Sequence, residues 1–191
     1  MIINTKKVIY LVIALVVLAE LVWAVYSLTK PAPKKAVETV VSEEKKLRAK
    51  LKFTGPSTAS QGAIFKVDVV LSSTQPTGGV DLITSYDPKI LELQPSTQGA
   101  LTMGKIYQEY PVNKVDETAG MITVTGLTSP SSKGFAGEGV LSTMTFKAKS
   151  KGLTKVSLDF TKGSTTDTNI AEYGSGVDML DEVSNYTVSI N

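Results

Sequence analysis

Apolar and polar residues alternate with period two along residues 80–93, and a proline breaks this alternation once. The segment reads V-D-L-I-T-S-Y-D-P-K-I-L-E-L, with one alternating run ending at Tyr86 and a second beginning after Pro88. Such alternation is typical of a β-strand that is buried on one face. Because proline fixes φ and has no backbone N–H, a strand ladder must end at Pro88. The Asp87 carboxylate can accept hydrogen bonds from nearby backbone amides and stabilise the turn.

The same alternation recurs along residues 51–191, between turn-forming glycines. Further strands are predicted at 90–93, 121–127 and 186–190, and one short turn or strand around 170–173 inside a long irregular segment. Many short strands separated by turns predict an all-β sandwich of two sheets. A domain of this length buries roughly two-thirds of its unfolded surface, which is enough for a stable core. The apolar sets predicted to face that core are Phe65, Val67, Val69 and Leu71; Val80, Leu82 and Thr84; Val140, Met144, Phe146 and Ala148; and Val156, Leu158 and Phe160.

The composition excludes most catalytic chemistry. The chain has no cysteine and no histidine, so it lacks thiolates as well as the commonest general base and metal ligand. Residues 1–50 contain 9 Lys or Arg and 4 Glu, a net charge of +5, whereas residues 51–191 contain 11 Lys or Arg and 14 Asp or Glu, a net charge of −3. A slightly acidic folded region argues against nucleic acid binding. We therefore expect a protein that is not an enzyme and has no cofactor.

The segment Val8–Leu28 is a run of 21 residues with one charged side chain, Glu20. A helix of this length spans roughly 30 Å, the thickness of the hydrocarbon core of a bilayer. Trp23 and Tyr26 lie near its far end, where interfacial aromatic residues occur. We predict that residues 1–28 form a transmembrane signal anchor. The alternatives are a signal peptide cleaved near Ala24 and a pilin-like helix that packs into a filament.

Residues 29–50 differ sharply in composition from the segments on either side. The sequence T-K-P-A-P-K-K opens them, and Ala, Val, Glu and Lys follow. Closely spaced prolines favour an extended backbone. The residues that follow could form a short charged helix, but a helix of this length has only marginal stability on its own. We interpret this region as a linker between the anchor and the folded domain, whose basic residues can also contact anionic lipid headgroups.

Acidic residues crowd the late irregular region, where Asp167, Glu172, Asp178, Asp181 and Glu182 occur within 16 positions. A glycosidase needs two carboxylates across a cleft, and a flat sandwich rarely forms one. A calcium site made of Asp167, Asn169 and Asp178 is an alternative, because calcium binds several oxygen ligands. The spacing matches no loop with fixed ligand positions, so we favour solvated acids and predict no metal site.

Two motifs resemble those of the cohesin family, the β-sandwich modules that bind dockerin domains. The first is the Tyr-Asp-Pro-Lys-Ile-Leu-Glu-Leu run at 86–93, and the second is the Gly-x-Gly strand G-E-G-V-L-S-T-M-T-F-K-A-K at 137–149. The resemblance covers residues 51–191. It implies a nine-stranded jelly-roll sandwich that is not an enzyme and binds a calcium-loaded dockerin through one flat sheet face.

The resemblance also implies one contact residue. Cohesins commonly place a polar or acidic partner-binding residue five positions before the tyrosine of the first motif, which here is Asp81. Independently, the alternation places Asp81, Ile83 and Ser85 on the face opposite the core. Thr123 and Thr125 share that face if their strand lies beside it. The alternative is an ordinary solvated sheet face.

We expect a membrane-tethered module that displays this face to a dockerin-like or other surface protein. The positive charges on the two sides of Val8–Leu28 do not decide its orientation, so residues 29–191 are placed outside the cytoplasm chiefly on the resemblance. A polysaccharide-binding module on the same scaffold and a structural envelope subunit are the alternatives. Glycan platforms usually present coplanar aromatic rings, and no strand of this sequence carries a regular stripe of tyrosines. That absence favours a protein partner.

Overall fold

The computed structural model describes Leu18, Glu20, Trp23 and residues 48–191. Leu18, Glu20 and Trp23 are helical and exposed. The rest of the predicted segment Val8–Leu28 lies outside the described residues, as does most of the predicted linker. Among the described residues, no helix is both long and apolar enough to cross a bilayer. Lys45–Asn191 forms a compact unit of its own, and its core lies within Ala49–Ile190.

Residues 48–191 contain strands and turns and no helix. The predicted all-β sandwich-like class is therefore confirmed for this part of the chain. The structure divides it into twelve strand segments, several of them very short, so the predicted count of nine is not confirmed. The strands are β1 (Ala49–Thr54), β2 (Thr58–Ala59), β3 (Ile64–Tyr86), β4 (Leu91–Leu93), β5 (Thr102–Met103), β6 (Glu109–Asp116), β7 (Met121–Leu127), β8 (Phe135–Ala148), β9 (Gly152–Leu158), β10 (Asn169–Glu172), β11 (Leu180–Ser184) and β12 (Tyr186–Ile190).

The strand β3 is 23 residues long and belongs to both layers of the sandwich. Its first half pairs antiparallel with β1 and β8, and its second half pairs antiparallel with β7, β9 and β10. The pairing with β8 shifts register between Ser73 and Thr77. This irregularity contains Pro76, which cannot donate a ladder hydrogen bond. Because β3 changes its pairing strands at this point, one continuous strand takes part in both sheets.

The remaining pairings complete the two layers. In the first layer β11 and β1 are parallel neighbours, and β4 and β5 pair with the far side of β8. In the second layer β6 pairs with β7, while β12 joins β9 to the short β2. The second layer therefore runs from β6 through β7, β3 and β9 to β12, and it carries the predicted partner-binding residues.

Side chains from both layers meet in one apolar core. The ring of Tyr86, at the end of β3, contacts the ring of Phe146 on β8 edge to face, with centroids 5.2 Å apart. Phe146 is fully buried, and so are Leu82 and Ile122 of the second layer. Burying a side chain of this size contributes about 1.5–3 kcal/mol, so contacts between the layers hold the sandwich together.

The turn predicted at Tyr86-Asp87-Pro88 is present. The strand β3 ends at Tyr86, and Asp87 Oδ1 accepts a hydrogen bond of 2.9 Å from the Lys89 N–H. The Asp87 carbonyl accepts a second bond of 2.9 Å from the Leu91 N–H, and β4 begins at that residue. Proline therefore ends one strand, and the aspartate fixes the turn into the next.

One predicted core position is wrong. Val140 was expected to face the core with Met144, Phe146 and Ala148, but its side chain is 41% exposed, whereas the other three are buried. The reason is an irregularity in the pairing of β3 with β8, where Val69 opposes Ser142 and its neighbour Val70 opposes Val140. The extra residue of β8 reverses the alternation, so Leu141 and Ser142 are both buried.

Candidate outer face of the second layer

The second half of β3 alternates between the core and the solvent. Val80, Leu82 and Thr84 are buried, as predicted, while Asp81 and Ser85 are exposed. Ile83 lies between these two on the outer side and is half-buried. Since side chains alternate strictly between the faces of a strand, the three outer residues form a single row.

The strand β7 lies directly beside this row. Thr123 and Thr125 were predicted to share the outer face if their strand had this position. Thr125 is the cross-strand neighbour of Asp81, and Thr123 is the neighbour of Ile83. The Thr125 hydroxyl donates a hydrogen bond of 2.7 Å to Asp81 Oδ1. The structure therefore brings all five predicted residues together on one face, and their role in partner binding stays a prediction.

The outer face extends beyond the five predicted residues. On β6, Val112 opposes Thr125 and Lys114 opposes Thr123, and on β9, Ser157 opposes Ser85. Sequence reasoning missed β6 because Pro111 and a register shift between Glu109 and Val112 disturb its alternation. Three large apolar side chains on this face are notably exposed: Met121 at 43%, Leu127 at 42% and Leu153 at 73%.

Buried polar contacts hold β3 rigid beneath this face. The Tyr107 hydroxyl donates to the Thr77 hydroxyl over 2.9 Å and to the Gly79 carbonyl over 3.2 Å. Burial raises the pKa of Tyr107 well above its usual range, so the hydroxyl keeps its proton and stays a donor. On the other side of β3, Thr168 Oγ1 accepts from the Ile83 N–H and donates to the Ile83 carbonyl, both over 3.0 Å.

Two of the acidic side chains between residues 167 and 182 accept hydrogen bonds from backbone N–H groups. Asp178 Oδ1 accepts hydrogen bonds from the Ile170 and Leu180 N–H groups over 3.2 and 3.0 Å. Asp167 Oδ2 accepts one from the Thr161 N–H over 2.6 Å, and the Asn169 amide donates to the Asp167 carbonyl. Within the described residues, no group of three or more acidic side chains comes together as a metal site.

Asp181 is a buried acid of this region, with 1% of its side chain exposed. Desolvation raises its pKa, but the Arg48 backbone N–H and the Lys162 ammonium favour the charged form more strongly, so the pKa of Asp181 is lowered. The Arg48 N–H donates to its carboxylate over 2.9 Å, and the Lys162 Nζ lies 3.1 Å from it. The contact with Arg48 attaches the residue before β1 to β11.

A family model with the description Cohesin domain matches residues 49–179. The chain belongs to the cohesin domain family. The match spans β1 through β10 and includes the whole outer face of β6, β7 and the second half of β3. Cohesin modules are binding modules without enzymatic activity, so the prediction that this chain is not an enzyme is confirmed. No curated protein matches the sequence.

Solved cohesins share this fold at low sequence identity. The cohesin in the Coh-OlpA–Doc918 complex, a type I cohesin–dockerin complex from Clostridium thermocellum, is 17% identical with a TM-score of 0.59, over 75% of this chain and 99% of that one. CaCohA2 from Clostridium acetobutylicum is 18% identical with a TM-score of 0.59, over 75% and 91%. The non-cellulosomal cohesin of the archaeon Archaeoglobus fulgidus is 20% identical with a TM-score of 0.56, over 75% and 91%.

Proposed function

We propose that this cohesin binds a dockerin-like protein through the outer face of β6, β7, β3 and β9. The observation that carries the proposal is the register between β3 and β7, which joins Asp81 and Thr125 at the centre of an exposed, mostly uncharged face. Hydrogen-bonding groups at the centre of such a face, with exposed Met121 and Leu127 near them, are typical of protein interfaces.

The cohesin of Clostridium thermocellum named above was solved in complex with a dockerin, and this supports the choice of partner class. The outer face is also well prepared for binding, since Tyr107 and Thr168 fix the backbone of β3 from two sides. A preorganised surface loses little conformational entropy on association, so more of its contact energy contributes to affinity.

The test measures binding of the fragment Lys45–Asn191 to a panel of recombinant calcium-loaded dockerins by isothermal titration calorimetry. Asp81→Ala is expected to weaken binding by about tenfold or more, as truncation of a central polar residue does at many interfaces. The matched control is Asp68→Ala on the first layer, because Asp68 Oδ1 accepts an equivalent bond of 2.6 Å from the Thr143 hydroxyl. Equal loss with both variants, or no dockerin bound by the unaltered fragment, would contradict the proposal.

We propose further that residues 8–28 anchor the module in a membrane and that the linker displays it outside the cytoplasm. The apolar run of 21 residues with the single charge of Glu20 supports this proposal. Full-length protein is expected to resist alkaline carbonate extraction, and protease added to intact cells is expected to remove residues 48–191. Release of the protein by carbonate, or protection of the module until the cells are lysed, would contradict it.

A further inference from the structure

A groove of about 480 Å³ opens at the far end of the outer face, beyond the Asp81–Thr125 pair. Its floor is formed by Gly78 and Gly79. Gly79 lies on the outer side of β3, and its cross-strand neighbours are Leu127 on β7 and Ala171 on β10. Gly79 has no side chain, and the Leu127 side chain occupies the adjacent space, because a Cβ at Gly79 would lie 3.0 Å from Leu127 Cδ2.

One wall of the groove is the ring of Tyr173. Its hydroxyl donates to the Ser132 carbonyl over 2.6 Å, and its backbone N–H donates to the Pro76 carbonyl over 2.9 Å. Tyr173 is 39% exposed, and it is the only exposed one among the five tyrosines of residues 48–191. The domain therefore holds its one accessible tyrosine ring in a fixed position against a groove.

The polar group of the groove is Glu172. It is the only charged residue of the lining, and the Ser175 hydroxyl donates to its Oε2. Within residues 48–191, no cation pairs with this carboxylate and no donor reaches its Oε1. Ser129 also lines the groove, and its hydroxyl lies 3.1 Å from the Ser131 hydroxyl. The groove thus offers an ionised acceptor and hydroxyl groups beside an aromatic surface.

The hairpin that carries Tyr173 and Glu172 is held by its own backbone. The Glu172 N–H donates to the Val177 carbonyl over 2.9 Å, and the Gly176 N–H donates to the Glu172 carbonyl over 3.0 Å. Gly174 has φ of 87°, a conformation that residues with side chains rarely adopt. The ring and the carboxylate are therefore positioned before any ligand arrives, which lowers the entropic cost of binding.

We propose that this groove binds a neutral saccharide. A pyranose ring has an apolar face of C–H groups that can pack on the Tyr173 ring, and its hydroxyls can donate to the Glu172 carboxylate. A shallow site with an aromatic wall and a few fixed polar groups suits such a ligand. The negative charge of Glu172 disfavours acidic sugars, because like charges in one site repel. This proposal goes beyond the dockerin-like partner and is tested separately from it, although Leu127 lines the groove and also lies on the outer face.

The test is a titration of the ¹⁵N-labelled fragment Lys45–Asn191 with cellobiose, xylobiose, maltose and lactose, followed by amide chemical shifts. At least one neutral disaccharide is expected to shift the amide signals of Gly78, Gly79 and Gly174 with millimolar affinity. Glucuronic acid at the same concentrations is expected to leave these signals unchanged.

Two substitutions and one control decide the assignment. Tyr173→Ala is expected to abolish the shifts, and Glu172→Gln is expected to weaken affinity by about tenfold, the usual effect of losing a charge-assisted hydrogen bond. Val177→Ala is the control, because Val177 is 53% exposed on the same hairpin but does not line the groove. Spectra of the free variants check that each is folded. The proposal is overturned if no disaccharide shifts these signals, or if Val177→Ala weakens binding as much as Tyr173→Ala.

Discussion

Thr125 and Asp81 are cross-strand neighbours joined by a hydrogen bond of 2.7 Å at the centre of the outer face. The bond engages Oδ1 of the carboxylate, and under the proposed function Oδ2 would accept a hydrogen bond from the partner. Thr125→Val is therefore expected to weaken dockerin binding about fivefold, the typical value of one hydrogen bond. The melting temperature should change little, because Asp81 is exposed. Calorimetric titration and thermal unfolding of the same sample measure both quantities.

The matched control for this prediction lies on the opposite layer. Thr143 donates to Asp68 in the same manner, over 2.6 Å. Thr143→Val therefore removes the same kind of bond away from the proposed interface, and it is expected to leave the affinity unchanged. If the two valine variants lost affinity equally, the outer face of the second layer would have no special role in binding.

Asp181 is expected to stabilise the fold in a pH-dependent way. Asp181→Asn removes the charge that Arg48 and Lys162 face, and it should lower the free energy of unfolding by about 1–3 kcal/mol at neutral pH. Because the pKa of Asp181 is lowered in the folded state, its contribution is fully present above the unfolded pKa of about 4. The contribution is lost as the pH falls through the folded pKa.

Urea denaturation at a series of pH values measures this effect. The stability difference between the unaltered protein and Asp181→Asn should be constant at neutral pH and shrink in acid. Glu138→Gln is a suitable comparison, because hydrogen bonds from Ser72 and Lys52 also lower the pKa of Glu138, but Glu138 is solvent-exposed, so its effect on stability should be much smaller than that of Asp181→Asn. A difference for Asp181→Asn that grows towards low pH would contradict the prediction.

The contact between the layers depends on Phe146. Phe146→Ala should lower the free energy of unfolding by about 3–5 kcal/mol, because it leaves a cavity beside Tyr86 and Phe65. Ile64→Ala also truncates a large apolar side chain of the same layer, but Ile64 is 64% exposed. Its effect should be below about 1 kcal/mol. Chemical denaturation of both variants tests whether the burial of the side chain determines the loss of unfolding free energy.

Gly104 is packed too closely for any side chain. A Cβ atom there would lie 1.9 Å from the Val140 carbonyl oxygen, and the Gly104 N–H donates to the Leu141 carbonyl over 2.8 Å. Gly104→Ala should therefore cost more than about 2 kcal/mol by forcing β5 away from β8. At Gly137 a Cβ would meet no atom within 4 Å, so Gly137→Ala bears only the backbone cost of its positive φ, about 1 kcal/mol. Equal melting temperatures for the two variants would contradict this steric argument.

Alternation made the orientation of β3 predictable. The rows Val80, Leu82, Thr84 and Asp81, Ile83, Ser85 lie where the period of two placed them. The turn at Pro88 was predictable for a similar reason, because it depends on the chemistry of two adjacent residues. These features are local, so the order of side chains along the chain contains the information that determines them.

Features that depend on pairing between strands were not predictable in this way. The outward turn of Val140 results from an extra residue in β8 relative to β3, which no property of β8 alone reveals. The strand β6 has too little alternation to be recognised, and its place becomes clear only from its pairing with β7. The groove at Gly79 likewise arises because β7, β10 and two distant turns meet there.

The continuity of β3 through both layers has a consequence for how this cohesin can change. Because successive side chains point to opposite faces, a slip of one residue along β3 would turn the inner residues of both sheets outward together. An insertion or deletion on either side of Pro76 is therefore expected to be costly unless a bulge like that of β8 absorbs it. New specificity is expected to come from exchanging side chains on a fixed backbone or from altering the loops at its ends.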